Sequence, residues 1–129
     1  MEAQRLIDEA STAAENSYSP YSHYRVGAVV VTADGQEFLG CNIENAAYGA
    51  SICAEANAIT TAAAQGVREI DTVAVTCLDG DACSPCGNCR QIMREFNVCR
   101  VILTDDAGEP VEYALEELLP RSFGPEDLR

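Results

Sequence analysis

The sequence predicts a mixed α/β fold, in which helices cover the faces of a sheet, and three observations support that class. Runs of β-branched residues alternate along the chain with helical patterns of apolar residues. An Asp34-Gly35 turn signal joins the first two strands into an antiparallel hairpin, so the sheet is not purely parallel. The length of 129 residues fits one domain, residues 1–129, whose core needs no disulfide bonds.

Each element follows from a local pattern. Apolar residues at helical spacing predict a first helix over residues 2–16, which ends before the loop that contains Pro20. An alanine-rich helix over residues 52–65 ends at Gly66. The predicted strands are Val26–Val31, Glu37–Cys41, Val73–Cys77, Val101–Thr104 and a weak strand near Val111–Tyr113. The other elements are a polar loop over Asn42–Gly49, a helix from Pro85 or Cys86 to about Asn97, a short helix at Leu115–Leu119 and a polar tail Arg121–Arg129.

The charge balance excludes two classes of partner. The chain has 21 acidic residues against eight basic ones, a formal net charge of −13, and all eight basic residues are arginine. Such a surface repels a nucleic-acid polymer and an anionic membrane. Because salt screens the repulsion among carboxylates, we hypothesise that this is the cytoplasmic protein of a halophile.

The cysteines indicate a reducing compartment. Seven cysteines is an odd number, and the N-terminal residues form an acidic helical pattern rather than a secretory signal. No apolar run approaches the length of a membrane span. Metal-bound or buried thiols in the cytoplasm fit these observations better than a disulfide framework does.

Two stretches carry the chemistry, and each is predicted to begin a helix. The first contains Cys53 and Glu55, and the second contains Cys86 and Cys89 at a spacing common in zinc sites. On its own, Cys-x-x-Cys also fits a redox pair or half of a structural site. Cys83 offers a rival triplet with the same pair, and four thiolates together would leave no position for water.

The two stretches, with Pro85 before the pair and Cys-Ala-Glu upstream, follow the signature of zinc deaminases. The chain resembles the small, homotetrameric, three-cysteine type of cytidine deaminase over nearly its whole length. The matching stretches are Tyr18–His23, Val26–Ala28, Cys41–Ala46, Cys53–Glu55, Pro85–Gln91, Leu118–Pro120 and Ser122–Leu128. The resemblance implies a three-layer α/β/α fold with a mixed, roughly five-stranded sheet.

The resemblance also implies a reaction and a site. One Zn²⁺ per subunit is expected on Cys53, Cys86 and Cys89, with the fourth tetrahedral position open to water. Glu55 is expected to move protons between that water and the base, so that cytidine and deoxycytidine become uridine and deoxyuridine with release of ammonia. The activity belongs to pyrimidine salvage.

The substrate contacts are likewise implied by the resemblance. Asn42 and Glu44 are expected to bind the 3′-hydroxyl of a free nucleoside, and the main chain of Ala54 to face the amine end of the base. Tyr24 offers an aromatic face for the base. Tyr48 and Phe123 are expected to act in a neighbouring subunit's pocket, which implies a homotetramer with shared active sites.

The sequence departs from the family pattern in three places. Tyr24-Arg25 stand where the family usually has Phe-Pro, and Gly49-Ala50-Ser51 replace a more apolar run. Ala56 stands where an arginine commonly contacts the ligand sulfurs. We therefore expect Arg90 to support the anionic metal centre alone.

Two other functions remain open from the sequence. A deaminase of another aminated nucleoside or base, such as a blasticidin-type enzyme, is disfavoured by Asn42 and Glu44, because a bare base offers them no ribose. A non-catalytic zinc or redox module would be built on Cys83, Cys86 and Cys89. That module predicts no loss of metal when Cys53 is removed.

Overall fold

The computed structural model describes residues 2–80 and 82–128, and it contains a five-stranded mixed sheet in the order β2-β1-β3-β4-β5. The strands are β1 Val26–Val31, β2 Glu37–Cys41, β3 Thr72–Cys77, β4 Arg100–Thr104 and β5 Pro110–Ala114. The helices are α1 Glu2–Ala14, α2 Ala54–Ala64, α3 Gly87–Glu95 and the single turn α4 Leu115–Leu118. Strands β3 and β4 run parallel, whereas the other neighbouring strands run antiparallel.

Helices cover both faces of the sheet because the strand residues point alternately to the two sides. On one face α1 packs through Leu6, Ile7 and Ala10 against Val29, Ala74 and Ile102. On the other face α2 and α3 bury apolar residues against the alternate strand positions, with Ala58, Ile59 and Met93 in one cluster with Val30, Val73 and Val101. The three-layer α/β/α architecture predicted from the sequence is confirmed.

The predicted helix over residues 52–65 begins too early. Ile52 exchanges both main-chain hydrogen bonds with Ile43, at 2.9 Å each, and Cys53 is extended, so helical geometry starts at Ala54. The helix predicted from Pro85 or Cys86 likewise begins at Gly87, after an extended Cys86, and it ends at Glu95. In both cases a ligand cysteine occupies the N-cap position rather than the first turn.

Two short 3₁₀ turns lie in segments predicted to be irregular. Tyr48–Ala50 forms one turn of the polar loop, where the Asn45 side chain accepts a hydrogen bond from the Ala47 N–H at 2.9 Å. Pro125–Leu128 forms another in the tail, where the Gly124 N–H donates to Asp127 at 2.8 Å. Such local side-chain acceptors favour turns over extended chain. Arg129, the last residue of the predicted tail, lies outside the described residues.

The absence of a side chain at Gly40 sets the position of α2. A Cβ at Gly40 of β2 would lie 2.5 Å from the main-chain nitrogen of Ala58 and 2.6 Å from the carbonyl oxygen of Ala54. The helix backbone therefore rests directly on the strand, and the Asn57 side chain donates to the Cys41 carbonyl at 2.8 Å. Close packing fixes the first turn of α2, which carries Glu55, against the sheet.

Within the described ranges, no helix has the length and apolar character needed to cross a membrane.

Candidate metal centre and active site

Three cysteine sulfurs meet where α2 and α3 begin. Cys53 directly precedes α2, Cys86 directly precedes α3, and Cys89 lies in the first turn of α3. Their Sγ atoms all lie within 4.8 Å of one another, and those of Cys53 and Cys86 are 3.9 Å apart. The structure thus brings together the three cysteines predicted to form one site, although 33 residues separate Cys53 from Cys86.

The spacing of the sulfurs fits one Zn²⁺ ion. Zinc–thiolate bonds of ~2.3 Å in a tetrahedron place the sulfurs about 3.8 Å apart, close to the separation of Cys53 and Cys86. The first turns of α2 and α3 direct main-chain N–H groups toward this point, and their partial positive charge favours thiolates. Three protein ligands leave a fourth tetrahedral position, as in a catalytic rather than a structural zinc site.

Hydrogen bonds among the three thiols of the cluster shift the pKa values of Cys53 and Cys89 in opposite directions. Hydrogen bonds, first with Cys89 and also with Cys86, lower the pKa of the Cys53 thiol to about 6. The pKa of the Cys89 thiol is raised because it is the partner of that same hydrogen bond and because it is buried. The cluster thus favours a thiolate at Cys53. A bound metal displaces the remaining protons, which makes binding depend on pH.

Cys83 lies outside this cluster. It is buried, and it forms an isolated antiparallel bridge with Thr104 at the end of β4. Burial raises the pKa of its thiol to about 12, so it stays protonated at neutral pH. Among the described residues, the group whose ligand atoms converge contains Cys53 and not Cys83. The geometry therefore favours the triplet that includes Cys53.

Glu55 is a buried carboxyl group beside the sulfurs. It lies in the first turn of α2 with 4% of its surface exposed. Burial, followed by the nearby Cys53 thiolate, raises the pKa of Glu55 to about 7, while a hydrogen bond from the Cys89 thiol acts in the opposite direction. A cation on the sulfurs would lower this pKa again, since opposite charge favours the carboxylate. A carboxyl group that titrates near neutral pH is suited to both accepting and donating a proton.

A cleft of about 400 Å³ opens over Glu55 and two of the sulfurs. Seven of the residues predicted from the sequence line it: Tyr24, Asn42, Glu44, Cys53, Ala54, Glu55 and Cys86. The cleft also contains Ser22, Val26, Cys83 and Ser84, which were not predicted as site residues. Ser22 and Val26 belong to stretches that resemble the family, and their place in those stretches is the signal that could have identified them.

Asn42 is held rigidly by its own chain. Its side-chain amide donates to the Tyr24 carbonyl at 2.8 Å, while its oxygen accepts from the Val26 N–H at 2.9 Å and the Ser17 hydroxyl at 2.5 Å. An amide group has two N–H donors, so one remains for a ligand. The bonds fix the orientation of that donor before any substrate arrives.

Glu44 is oriented by the segment before β1. Its carboxylate accepts hydrogen bonds from the Tyr21 N–H at 2.9 Å, from the Ser22 N–H at 3.1 Å and from the Ser22 hydroxyl. These bonds, the one from the Ser22 hydroxyl above all, hold the pKa of Glu44 below its usual range. Glu44 therefore presents an ionised acceptor in the cleft that also contains Glu55.

Tyr48 and Phe123 lie outside the cleft. Tyr48 is 75% exposed and packs edge-on against Tyr21, with ring centroids 5.8 Å apart, beside a second depression that Glu44 also lines. Phe123 is 57% exposed on the C-terminal segment, and its carbonyl accepts a hydrogen bond from the Gln91 side chain at 2.8 Å. Both aromatic rings therefore face solvent in the single chain.

Arg90 forms hydrogen bonds with the main chain near the metal centre. Its Nε donates to the Pro85 carbonyl at 2.9 Å, and its Nη1 donates to the Leu118 carbonyl at 2.7 Å. These bonds join the turn that carries Cys86 to the end of α4. Direct support of the sulfurs by Arg90 stays a prediction. Ala56, the position expected to lack an arginine contact, is buried in α2.

Comparison with known proteins identifies the family of the chain. Residues 1–105 match the family described as cytidine and deoxycytidylate deaminase zinc-binding region. The cytidine deaminase of Sporosarcina psychrophila is 42% identical, over 99% of this chain and 96% of that protein. The cytidine deaminase of Halalkalibacterium halodurans is 41% identical, over 99% of this chain and 98% of that protein.

The fold agrees with solved structures of the same family. The crystal structure of cytidine deaminase from Burkholderia pseudomallei superposes with a TM-score of 0.88 at 41% sequence identity, covering 95% of this chain and 100% of that one. The cytidine deaminase of Mycobacterium tuberculosis superposes with a TM-score of 0.82 at 33% identity, over 96% of this chain and 98% of that one. The chain therefore belongs to the cytidine and deoxycytidylate deaminase family of zinc enzymes.

Proposed function

We propose that this chain, acting as a single catalytic domain, hydrolyses cytidine and deoxycytidine to uridine and deoxyuridine and releases ammonia for pyrimidine salvage. The observation that carries the proposal is the position of Glu55. Its buried carboxyl group lies against three converging cysteine sulfurs, in a cleft that also contains Asn42 and Glu44. A metal site, a proton carrier and a polar pair for a sugar therefore share one cavity.

Cys53, Cys86 and Cys89 hold one Zn²⁺ ion per subunit in this proposal, and the family description supports that metal. The bound ion lowers the pKa of a water molecule and so supplies a nucleophile near neutral pH. The cleft lies above the sulfurs of Cys53 and Cys86, while Cys89 is buried. Substrate therefore reaches the centre from the side of Cys53 and Cys86.

Glu55 carries the proton through the reaction. It accepts a proton from the attacking water and delivers it to N3 of the pyrimidine as the oxygen bonds to C4. It then takes the proton of the new C4 hydroxyl and passes it to the amino group, the C4–N bond breaks, and ammonia leaves with the C4 carbonyl formed. One carboxyl group suffices because the transfers occur in sequence.

Asn42 and Glu44 select a free nucleoside. The remaining N–H of Asn42 donates to the 3′-oxygen and the Glu44 carboxylate accepts from the 3′-hydroxyl, so a hydroxyl satisfies both groups. A phosphate in the same place would meet an ionised carboxylate and a protein of net charge −13. The substrate is thus a nucleoside with a free 3′-hydroxyl rather than a polymer, in which that oxygen is esterified, and membranes are not partners.

Tyr48 and Phe123 complete a neighbouring subunit's pocket in this proposal, and the protein is a homotetramer with shared active sites. Their high exposure supports the proposal, because large aromatic side chains on a monomer's surface are common at interfaces. Sedimentation equilibrium tests the assembly, with a tetramer expected and a stable monomer contradicting it. Mixing the inactive variant Glu55→Gln with Phe123→Ala then tests sharing, since mixed tetramers should regain part of the activity.

The cytoplasm of a halophile is the setting that we propose. An excess of acidic over basic residues, with arginine as the sole basic type, suits a medium in which salt screens repulsion. The melting temperature should rise with KCl up to molar concentrations. A midpoint that does not respond to KCl would overturn this setting without affecting the proposed reaction.

Ammonia release from cytidine by the purified, zinc-loaded protein tests the reaction. Wild type should convert cytidine and deoxycytidine, whereas Glu55→Gln should lose about 10²–10⁴-fold in kcat while keeping its zinc. Deoxycytidylate should be a poor substrate because of its phosphate. Equal rates for Glu55→Gln and wild type, or a preference for a bare base, would contradict the proposal.

A further inference from the structure

Two cysteines outside the metal cluster, Cys77 and Cys83, interact with Tyr24, the aromatic residue that lines the cleft. The hydroxyl of Tyr24 donates a hydrogen bond to Cys77 Sγ at 3.2 Å. Cys77 is the last residue of β3, and it pairs with Val26 at the start of β1. Tyr24, two residues before Val26, lines the cleft with Glu55, so the bond connects the cleft to the C-terminal end of β3, the central strand of the sheet.

The surroundings of the Tyr24 hydroxyl keep it protonated, so that it acts as the hydrogen-bond donor to Cys77. The Cys83 thiol also interacts with the Tyr24 hydroxyl, so two thiols adjoin it. The hydrogen bond to Cys77, with burial as the second cause, raises the pKa of Tyr24, and the phenol keeps its proton. Gly80 leaves room for the ring, since a Cβ there would lie 3.0 Å from Cε1 and 3.3 Å from the hydroxyl oxygen of Tyr24.

The main chain beside Tyr24 is fixed to the same segment. Arg25 donates from Nε and Nη2 to the two oxygens of Asp79, at 2.9 Å each, and its N–H donates to the same carboxylate at 2.8 Å. The Leu78 N–H donates to the Arg25 carbonyl at 2.9 Å. With the backbone held in this way, the ring's hydroxyl contact decides how far the ring tilts within the cleft.

We propose that Cys77 is a positioning residue of the nucleoside site, which holds the Tyr24 ring in place so that its face stacks on the pyrimidine. This inference rests on the proposed function. A fixed ring gains contact with a flat base without losing side-chain freedom on binding, which strengthens binding. The ring contacts the base equally before and during the reaction, so its position affects binding of substrate and transition state alike.

Steady-state kinetics with cytidine test the inference. Tyr24→Phe keeps the ring and removes the hydroxyl, and Cys77→Ala removes the acceptor. Each should raise KM about three- to tenfold with little change in kcat, the range that loss of one weak hydrogen bond allows. The inhibition constant of the product uridine should rise by the same factor, because uridine lacks the leaving group but keeps the flat ring.

A double-mutant cycle separates positioning from mere stability. Tyr24→Phe with Cys77→Ala should be no worse than either single variant, and Cys77→Ser should restore part of the lost affinity because its hydroxyl accepts a hydrogen bond. Matched controls are Tyr113→Phe on β5 and the exposed Cys99→Ala, both outside the cleft, whose KM should equal that of wild type. Melting curves verify that each variant is folded.

Three results would overturn the inference. The first is an unchanged KM in Tyr24→Phe, and the second is full additivity of the two substitutions. The third is a fall in kcat alone, which would assign the pair to a catalytic step rather than to positioning. Failure of wild type to deaminate cytidine would overturn the proposed function as well, whereas the first three results leave that function standing.

Discussion

The starts of α2 and α3 provide the two halves of the metal centre, but they are supported in different ways. The first turn of α2 is buried at Ala54, Glu55 and Ala56, and its backbone rests on Gly40 of the sheet. In α3 only Cys89 and Met93 are buried, and polar side chains on its outer face bind the C-terminal segment. The buried carboxyl group of Glu55 thus lies on the half fixed by close packing, and Cys86 and Cys89 lie on the half fixed by surface contacts.

Replacing the thiol at the start of α2 tests whether both halves form a single site. Cys53→Ala should lower zinc affinity by roughly 10²–10⁴-fold, about a third of a typical zinc-binding free energy, and abolish cytidine deamination. Cys83→Ala is the matched control, since this buried thiol lies outside the cluster, and it should keep its zinc. Zinc content by atomic absorption measures both. Retained zinc in Cys53→Ala with loss in Cys83→Ala would instead support a non-catalytic module.

Arginines on α3 test how much the surface contacts contribute. Arg90→Ala removes the bonds to the carbonyls of Pro85 and Leu118 and a positive charge near an anionic centre, so kcat/KM should fall about 10–100-fold. Arg94 donates to the Ser122 hydroxyl at 2.8 Å and pairs with Glu126, further from the cluster. Arg94→Ala should lower kcat/KM less than Arg90→Ala does. Equal, small effects on activity and zinc content would count against a role of Arg90 at the metal.

Glycine substitutions test the packing on the other half. Gly40→Ala forces α2 away from β2 and should lower the free energy of unfolding by about 1–3 kcal/mol, the usual cost of overpacking. Gly87→Ala is its counterpart at the start of α3, where a Cβ meets no atom within 4 Å. It should leave stability unchanged or raise it by up to about 1 kcal/mol. Urea unfolding measures both, and equal effects would remove the contrast between the two helix starts.

Features set by local sequence signals could be predicted, whereas features set by tertiary contacts could not. All five strands were predicted, and both ends of β1 and β2 are correct to the residue, because period-two and turn signals are local. The convergence of Cys53 with Cys86 and Cys89 came from the family resemblance, since spacing alone also allowed Cys83. The N-cap positions of Cys53 and Cys86 were missed, because the pairing of Ile52 with Ile43 depends on tertiary contacts that helix propensity does not contain.

Side-chain partners were the least predictable part of the site. Arg90 was expected at the sulfurs, but its hydrogen bonds go to main-chain carbonyls that lie five residues before it and 28 residues after it. Tyr24 was predicted for its aromatic face, whereas the contact of its hydroxyl with Cys77 spans 53 residues. Such contacts follow from strand order, here the antiparallel pairing of β1 with β3, which the sequence pattern left open.

Acid should remove the contribution of the Arg25–Asp79 ion pair, which holds the segment that leads into α3. The Arg25 guanidinium holds the pKa of Asp79 at about 2, against ~3.9 for an unfolded aspartate. A lowered pKa adds stability above the unfolded value, and this is lost as pH falls from about 4 to 2. The melting temperature of Asp79→Asn should therefore lie slightly below wild type at pH 6.

The difference between Asp79→Asn and wild type should shrink toward pH 3. Asp106→Asn, at an exposed position in the turn between β4 and β5, is the control for removing one acidic charge elsewhere on the surface. The effect is small because the pair is solvent-exposed. A difference that stays constant with pH would mean that Asp79 acts through its shape rather than its charge. The exposed ion pair would then not distinguish the support of α3 from that of α2.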